Sequence, residues 1–266
     1  MKLTKPILLL CLGLGTFINV NAQENTPKPD LITDRPDATE SPTVVPKGSL
    51  QVETGAFYTS FEEGDIQEEV FTYNTALLRY GLLDNLELRL GWNLEESRLS
   101  SPIDALNTSV SSLSPLLFGV KVAIVEEKGW LPKIGLIGHI FLPFTVREEL
   151  RPEFTSSDFR FAFNHTLSEK SGIAYNLGAQ WGNDSPEVAY VYTLAYGYGI
   201  TDKLGAYVEL YGDLPEDNSA NHFWDAGLTY AIAPLVQLDA TIGQSITAGQ
   251  DILLSAGISF RIDKKQ

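Results

Sequence analysis

The sequence predicts an all-β fold: a transmembrane antiparallel β-barrel of about twelve strands with an N-terminal extended, plug-like segment. Three observations carry this. Apolar and polar residues alternate with period two, segment after segment, from residue 49 to the end. The second face of those segments carries Glu53, Glu87, Arg89, Lys121, Arg160, Glu209, Asp225, Asp239 and Arg261. A soluble barrel or sandwich would have to pair each of these in a dry core; turned inward to a polar lumen, with the apolar face on lipid, they are ordinary. Short and long connections also alternate, as tight periplasmic turns and longer external loops do.

Residues 1–22 read as a cleavable secretory signal peptide. Lys2 and Lys5 precede an apolar stretch from Ile7 to Ile18, and Val20-Asn21-Ala22 offers a small-residue cleavage site. The apolar core is short for a bilayer span. The single cysteine, Cys11, lies inside this leader, and Leu10 stands where a lipoprotein signal needs a small residue. The expected mature chain then has no thiol, which excludes disulfides, thiolate zinc sites and a cysteine nucleophile.

Residues 23–48 form the proline-rich periplasmic or plug segment. Pro36, Pro42 and Pro46 each remove a backbone donor and push the preceding residue toward extended geometry, so this stretch is neither helix nor central strand. At ~3.3 Å per residue its length is sufficient to enter a barrel ~25 Å tall and return. Asp34, Arg35, Asp37 and Glu40 are therefore expected in the periplasmic mouth. Arg35 is expected to pair with Glu53 or Glu87, and Asp34 or Glu40 with Arg79 or Arg89.

The same residues carry a resemblance. Thr33-Asp34-Arg35-Pro36-Asp37, Thr39-Glu40-Ser41-Pro42 and Val45-Pro46-Lys47-Gly48, continued by Gln51, Glu53 and Tyr58, resemble the opening signature of an outer-membrane family. That family is labelled the MetA-pathway of phenol degradation and described as transporters. The resemblance implies a β-barrel and passage of aromatic or apolar compounds.

Residues 49–266 are the barrel. Strands are predicted at 49–60, 69–82, 86–96, 115–126, 133–145, 158–168, 172–182, 188–200, 204–212, 221–232, 235–246 and 251–262. Leu86, Leu88, Leu90, Trp92 and Leu94 against Glu87, Arg89, Gly91, Asn93 and Glu95 show the pattern most clearly. Turns fall at 84–85, 168–171, 201–203 and 233–234, and longer polar loops at 97–114, 146–157 and 213–220. An even strand count places both termini in the periplasm. Ala256 to Ile262 resembles the terminal signal read by the barrel-assembly machinery, although Asp263 to Gln266 extend past it. Phe57, Tyr73, Phe141, Tyr207 and Tyr211 are expected on the lumen face, as an aromatic track or as packing that narrows the bore.

Composition bounds the partners. The formal charge of -15 argues against nucleic acid, whereas 11 Tyr, 13 Phe and 4 Trp supply aromatic girdles for outer-membrane lipid and lipopolysaccharide. No recognised catalytic motif is present, so no enzyme activity, catalytic residue or cofactor is expected. His139 is predicted to face the lumen, and His165 and His222 the lipid. A lipolytic Ser–His pair on the outer wall has only His165 and nearby Ser168 to draw on. The acidic stretch Glu62-Glu63-Gly64-Asp65 with Glu68-Glu69 lacks the ligand spacing of a calcium site and reads as a solvated loop, so no metal is expected. The expected function is an outer-membrane channel for passive uptake or efflux of small molecules, aromatic or apolar ones included. The alternative is a structural or adhesive barrel with a closed lumen.

Overall fold

The computed structural model describes residues 30–103, 107–182, 187–247 and 249–264. The expected leader, residues 1–22, and the first part of the plug segment, 23–29, lie outside them. The strands are β1 (Leu50–Glu63), β2 (Ile66–Leu83), β3 (Leu86–Ser100), β4 (Thr108–Leu113), β5 (Leu116–Val125), β6 (Lys133–Leu142) and β7 (Ser157–Ser168). They continue as β8 (Ser171–Trp181), β9 (Val188–Gly199), β10 (Leu204–Pro215), β11 (Asn221–Ala233), β12 (Val236–Ser245) and β13 (Gln250–Ile262).

Every pairing between these strands is antiparallel. The ring closes between β1 and β13, where Leu50 lies opposite Ile262 and Ala56 opposite Ala256. Closure leaves no sheet edge in the membrane, where an unpaired backbone group would find no water. Of the 13 strands, β4 pairs with β3 alone, so the remaining twelve make the barrel. The lower part of β3, Leu86 to Gly91, pairs with β5, and its upper part, Leu94 to Leu99, pairs with β4. Ser114 and Pro115 separate the two partners, and Pro115 has no N–H to continue the ladder.

The structure moves several predicted boundaries. Much of the loop expected at 97–114 is strand, because β3 runs to Ser100 and β4 returns against it. The first hairpin also extends further: β1 reaches Glu63 and β2 begins at Ile66, so the acidic residues read as loop are strand residues around a Gly64–Asp65 turn. Likewise β10 runs to Pro215. In each case the strand rises beyond the apolar belt, where its side chains are polar and give no hydrophobic alternation to read.

The faces are inverted relative to a soluble barrel. Phe118, Val208, Leu228 and Ile242 are exposed on the outside, whereas Glu53, Arg79, Glu87, Lys121 and Asn176 are fully buried inside. Turns at 84–85, 169–170 and 234–235 share one end with the described parts of both termini, which identifies the periplasmic side.

Candidate functional site

A segment without secondary structure inside a barrel must still find partners for its backbone. Residues 30–48 do this by following the lumen wall in a circuit. Arg261 on β13 donates to the Asp30 carbonyl at 2.8 Å. Gln51 on β1 donates to the Ile32 carbonyl at 2.8 Å, and Gln237 on β12 to the Thr33 hydroxyl at 3.0 Å. The Ala38 N–H donates to Glu209 on β10 at 2.7 Å, and the Thr39 hydroxyl makes a short bond to the same carboxylate. Asn176 on β8 grips Glu40 twice, accepting from its N–H at 2.7 Å and donating to its carbonyl at 2.9 Å. The return passes Glu87 on β3, which accepts the Val45 N–H at 2.8 Å, and ends where the Gly48 N–H donates to the Gly81 carbonyl at 2.7 Å. Wall carboxylates thus serve as acceptors for plug amides, a physical reason for an acidic lumen.

Ion pairs fix one side of the circuit. The Asp34 carboxylate lies 2.7 Å from Lys121 Nζ, 2.8 Å from Arg89 Nη1 and 3.2 Å from Arg79 Nη1. Glu40 meets Arg89 Nη2 at 2.8 Å. Arg79 joins both legs of the segment, donating to the Ile32 carbonyl at 3.3 Å and the Thr43 carbonyl at 3.0 Å while it binds Glu53 and Glu87. Burial alone would raise the Asp34 carboxyl, but Arg79, Lys121 and Arg89 outweigh it and hold it far below the usual carboxylate range. Glu40 is likewise lowered: burial opposes, and Arg89 dominates the attraction.

On the other side Arg160 on β7 reaches only the Ala38 carbonyl, at 3.5 Å, and Asp37 makes no ion pair among the described residues. Asp37 is pushed well above its ordinary value by burial, then by Glu209 and more weakly by Asp225 and Asp34. Its charged form is therefore disfavoured.

Glycines in the wall make room for the plug. Gly55 and Gly257 face each other across β1 and β13. A Cβ on Gly257 would stand 2.4 Å from the Arg35 guanidinium, and one on Gly55 2.6 Å. In that notch Arg35 pairs with Asp239 on β12 at 2.8 Å and lies 5.1 Å from the Phe57 ring centroid. A Cβ on Gly81 would stand 2.3 Å from the Pro46 carbonyl.

The plug divides the lumen into two chambers. The outer one, about 260 Å³, has Asp34, Asp37 and Glu40 at its floor and the rings of Phe57 and Phe141 in its walls. The periplasmic one, about 380 Å³, extends from the Ser168–Ser171 turn to Ala195 and Tyr207. Asp37 lines both.

The structure brings Asp34, Arg35, Asp37 and Glu40 into the lumen and places Glu53, Arg79, Glu87 and Arg89 around Asp34. The expected partners of Arg35 are corrected, however. Glu53 and Glu87 bind Arg79, and Arg35 reaches Asp239, because the chain has already crossed toward β12 by that point. The aromatic track is also corrected. Phe57 and Phe141 line the outer chamber, while Tyr207 lies on the periplasmic one with its hydroxyl 2.7 Å from Thr241. Tyr211 stacks on Phe223 at 5.1 Å. A register shift between Thr72 and Asn74 turns Tyr73 out of the chamber; it is 51% exposed and donates to Glu96 at 2.5 Å. Lys121, Asp239, Glu209 and Asn176 were legible as inward-facing polar residues, but not as partners of the plug.

The family model described as "Putative MetA-pathway of phenol degradation" matches residues 33–262, which include both the plug and the barrel. The chain belongs to this family. Among solved structures, the COG4313 outer membrane channel from Pseudomonas putida F1 superposes with TM-score 0.63 at 16% identity, covering 82% of this chain and 97% of that one. The translocator domain of autotransporter NalP from Neisseria meningitidis gives 0.52 at 11% identity, with 81% and 90% covered. The NanC porin gives 0.51 at 10% identity, with 80% and 100% covered. At these identities the likeness is one of fold. No curated protein matches the chain. Membership of the family and the closed twelve-stranded barrel make this an outer-membrane β-barrel protein.

Proposed function

We propose that the protein is a passive outer-membrane channel in which the 30–48 segment is a fixed constriction, passing small aromatic or apolar molecules. The observation that carries this reading is the pair of chambers that share Asp37 as a common wall residue. Asp37, which makes no ion pair among the described residues, opposes small uncharged solutes at that septum less than an ion-paired cluster would, because no strongly held charge pair has to be displaced. The phenol-pathway description of the family and the channel named among the fold neighbours agree with it. Residues 1–22 act as a cleavable export signal in this reading. The exposed apolar belt meets lipid and lipopolysaccharide, and β13 is presented to the barrel-assembly machinery.

No catalytic role is part of the proposal. Ser168 bonds Ser171 at 2.7 Å, His165 stacks on Tyr175, and the His222 ring bonds the Tyr192 hydroxyl at 2.7 Å, so among the described residues neither outward imidazole is paired with a serine hydroxyl. The second reading, a structural barrel with a closed lumen, draws on the buried ion pairs that tie the plug to its wall.

Single-channel current in a planar bilayer tests the first reading, using the mature chain with and without residues 23–48. A small steady conductance that rises on deletion is expected. Silence from both forms would remove the channel and leave the structural barrel.

A further inference from the structure

On the periplasmic side β5 and β6 are joined by residues 126–132, a longer connection than the turns at 84–85, 169–170 and 234–235. It is ordered as a hairpin. Lys128 and Leu131 exchange both backbone bonds, at 2.9 and 3.1 Å, around a two-residue tip of Gly129 and Trp130. Gly129, at φ +61°, supplies the left-handed first position that such a tip requires. The stalk is pinned to the barrel. Glu127 accepts from the N–H and the hydroxyl of Thr166 on β7, both at 2.7 Å, and Glu126 meets Lys133 at 3.1 Å. Held in this way, Trp130 is 98% exposed, against 38% for Trp224 on the lipid-facing wall. A pinned hairpin that presents an indole ring to nothing in its own chain points to a contact outside it.

The level of the tip identifies that contact. β6 and β7 pair Lys133 with Asn164 and Ile134 with Phe163, and continuing this register puts Trp130 beside Leu167. Leu167 on β7 and Ile124 on β5 are both exposed on the outer wall, at the periplasmic edge of the apolar belt. The 169–170 turn extends past this level, so the tip does not stand clear of the rim as a handle for a soluble partner would. Aromatic rings already mark the same edge: Phe163 and Tyr175 stack at 4.7 Å, and His165 lies 6.0 Å from Tyr175. Lys128, next to the tip, makes no ion pair among the described residues. An apolar ring with one N–H donor, beside an unpaired ammonium, matches the glycerol and phosphate layer of the inner leaflet.

We propose that the Gly129–Trp130 tip is an inner-leaflet anchor, with the Trp130 indole seated among glycerophospholipid headgroups and Lys128 on their phosphates. The anchor does not depend on whether the lumen conducts. The test places the full chain in phosphatidylcholine nanodiscs, which leave both membrane faces open to solvent. The difference in emission between this protein and Trp130→Phe isolates Trp130 from the other tryptophans. Its quenching is measured with phospholipids brominated near the headgroup, with phospholipids brominated near the chain end, and with aqueous acrylamide. Shallow bromines are expected to quench about twofold more strongly than deep ones, and acrylamide about threefold less than it quenches a free tryptophan amide. Glu127→Ala, which removes both bonds to Thr166, should raise acrylamide access to Trp130. Lys128→Glu should do the same, by setting a like charge against phosphate. Circular dichroism and heat-modifiable gel mobility confirm that each variant is folded.

Acrylamide quenching equal to that of the free amide, with no effect of either bromine, would overturn the anchor and mean that the tip is displayed to a soluble periplasmic partner. Stronger quenching by the deep bromines would also overturn it, because the ring would then lie against the hydrocarbon. Unchanged quenching in both Glu127→Ala and Lys128→Glu would remove the pinned stalk and the phosphate contact from the account, and the anchor with them.

Discussion

On the β1–β5 side of the lumen, Asp34 and Glu40 lie among Arg79, Arg89 and Lys121, with ion pairs at 2.7 to 3.9 Å. On the β9–β11 side, Asp37 faces Glu209 and Asp225 and makes no ion pair among the described residues. There the plug is held instead by its own N–H and hydroxyl groups donating to Glu209. The first side is a clamp whose charges are worth more together than apart, since each is too buried to be left alone. The second tolerates rearrangement, because Asp37 makes no ion pair among the described residues that a shift would have to break. The two chambers share Asp37, on the second side. The anchor of the plug and the proposed passage past it are therefore separated around the barrel wall.

The sharpest way to break this contrast is Arg79→Met. It leaves Glu53, Glu87 and Asp34 buried with one cation fewer and removes the bonds to both plug legs. A loss of about 3–5 kcal/mol is expected, read as a lower midpoint of urea unfolding in micelles. An unchanged midpoint would mean that the clamp is not structural.

Arg35→Ala tests the link between the two sides. It strands Asp239, removes the ring contact with Phe57 and empties the notch at Gly55 and Gly257. About 1.5–3 kcal/mol should be lost, together with a larger single-channel conductance. If neither stability nor conductance moves, the segment does not obstruct the bore.

The smallest effect is expected at Glu209→Gln, within about 1 kcal/mol at neutral pH, since glutamine still accepts from the Ala38 N–H. Its value lies in the pH dependence. Asp34 and Glu40 are held below their ordinary values, so their stabilisation is present above pH ~4 and is lost as the pH falls through the lowered values. Asp37 is raised, so its contribution is complete below pH ~4 and is lost as the pH rises through the raised value. Acid should loosen the clamp and alkali the opposite side. Amide exchange at Ala38, corrected for intrinsic rate, should quicken with rising pH, and Glu209→Gln should move that change to lower pH by removing the largest charged neighbour of Asp37. Identical profiles in the two proteins would contradict the raising of the Asp37 carboxyl by Glu209.

Much of this architecture was legible before any fold was seen. Period-two alternation located the twelve barrel strands, and it failed mainly where β3, β4 and β10 leave the apolar belt. Pro36, Pro42 and Pro46 identified the plug, and Asp34 with Arg89 was among the pairings expected. Asp239 as the partner of Arg35, and Lys121 as a partner of Asp34, were not.

The division follows from the range of the forces involved. Alternation, proline stiffness and the sign of each face are properties of neighbouring residues, so the sequence by itself determined a two-faced barrel with an extended polar insert. Which carboxylate meets which cation depends on how far the insert has travelled around the wall when each side chain emerges, on bulges such as the one at Tyr73, and on glycine notches contributed by strands at opposite ends of the chain. Those distances are set only when β1 meets β13, so the clamp and the septum at Asp37 were decided by the closed barrel.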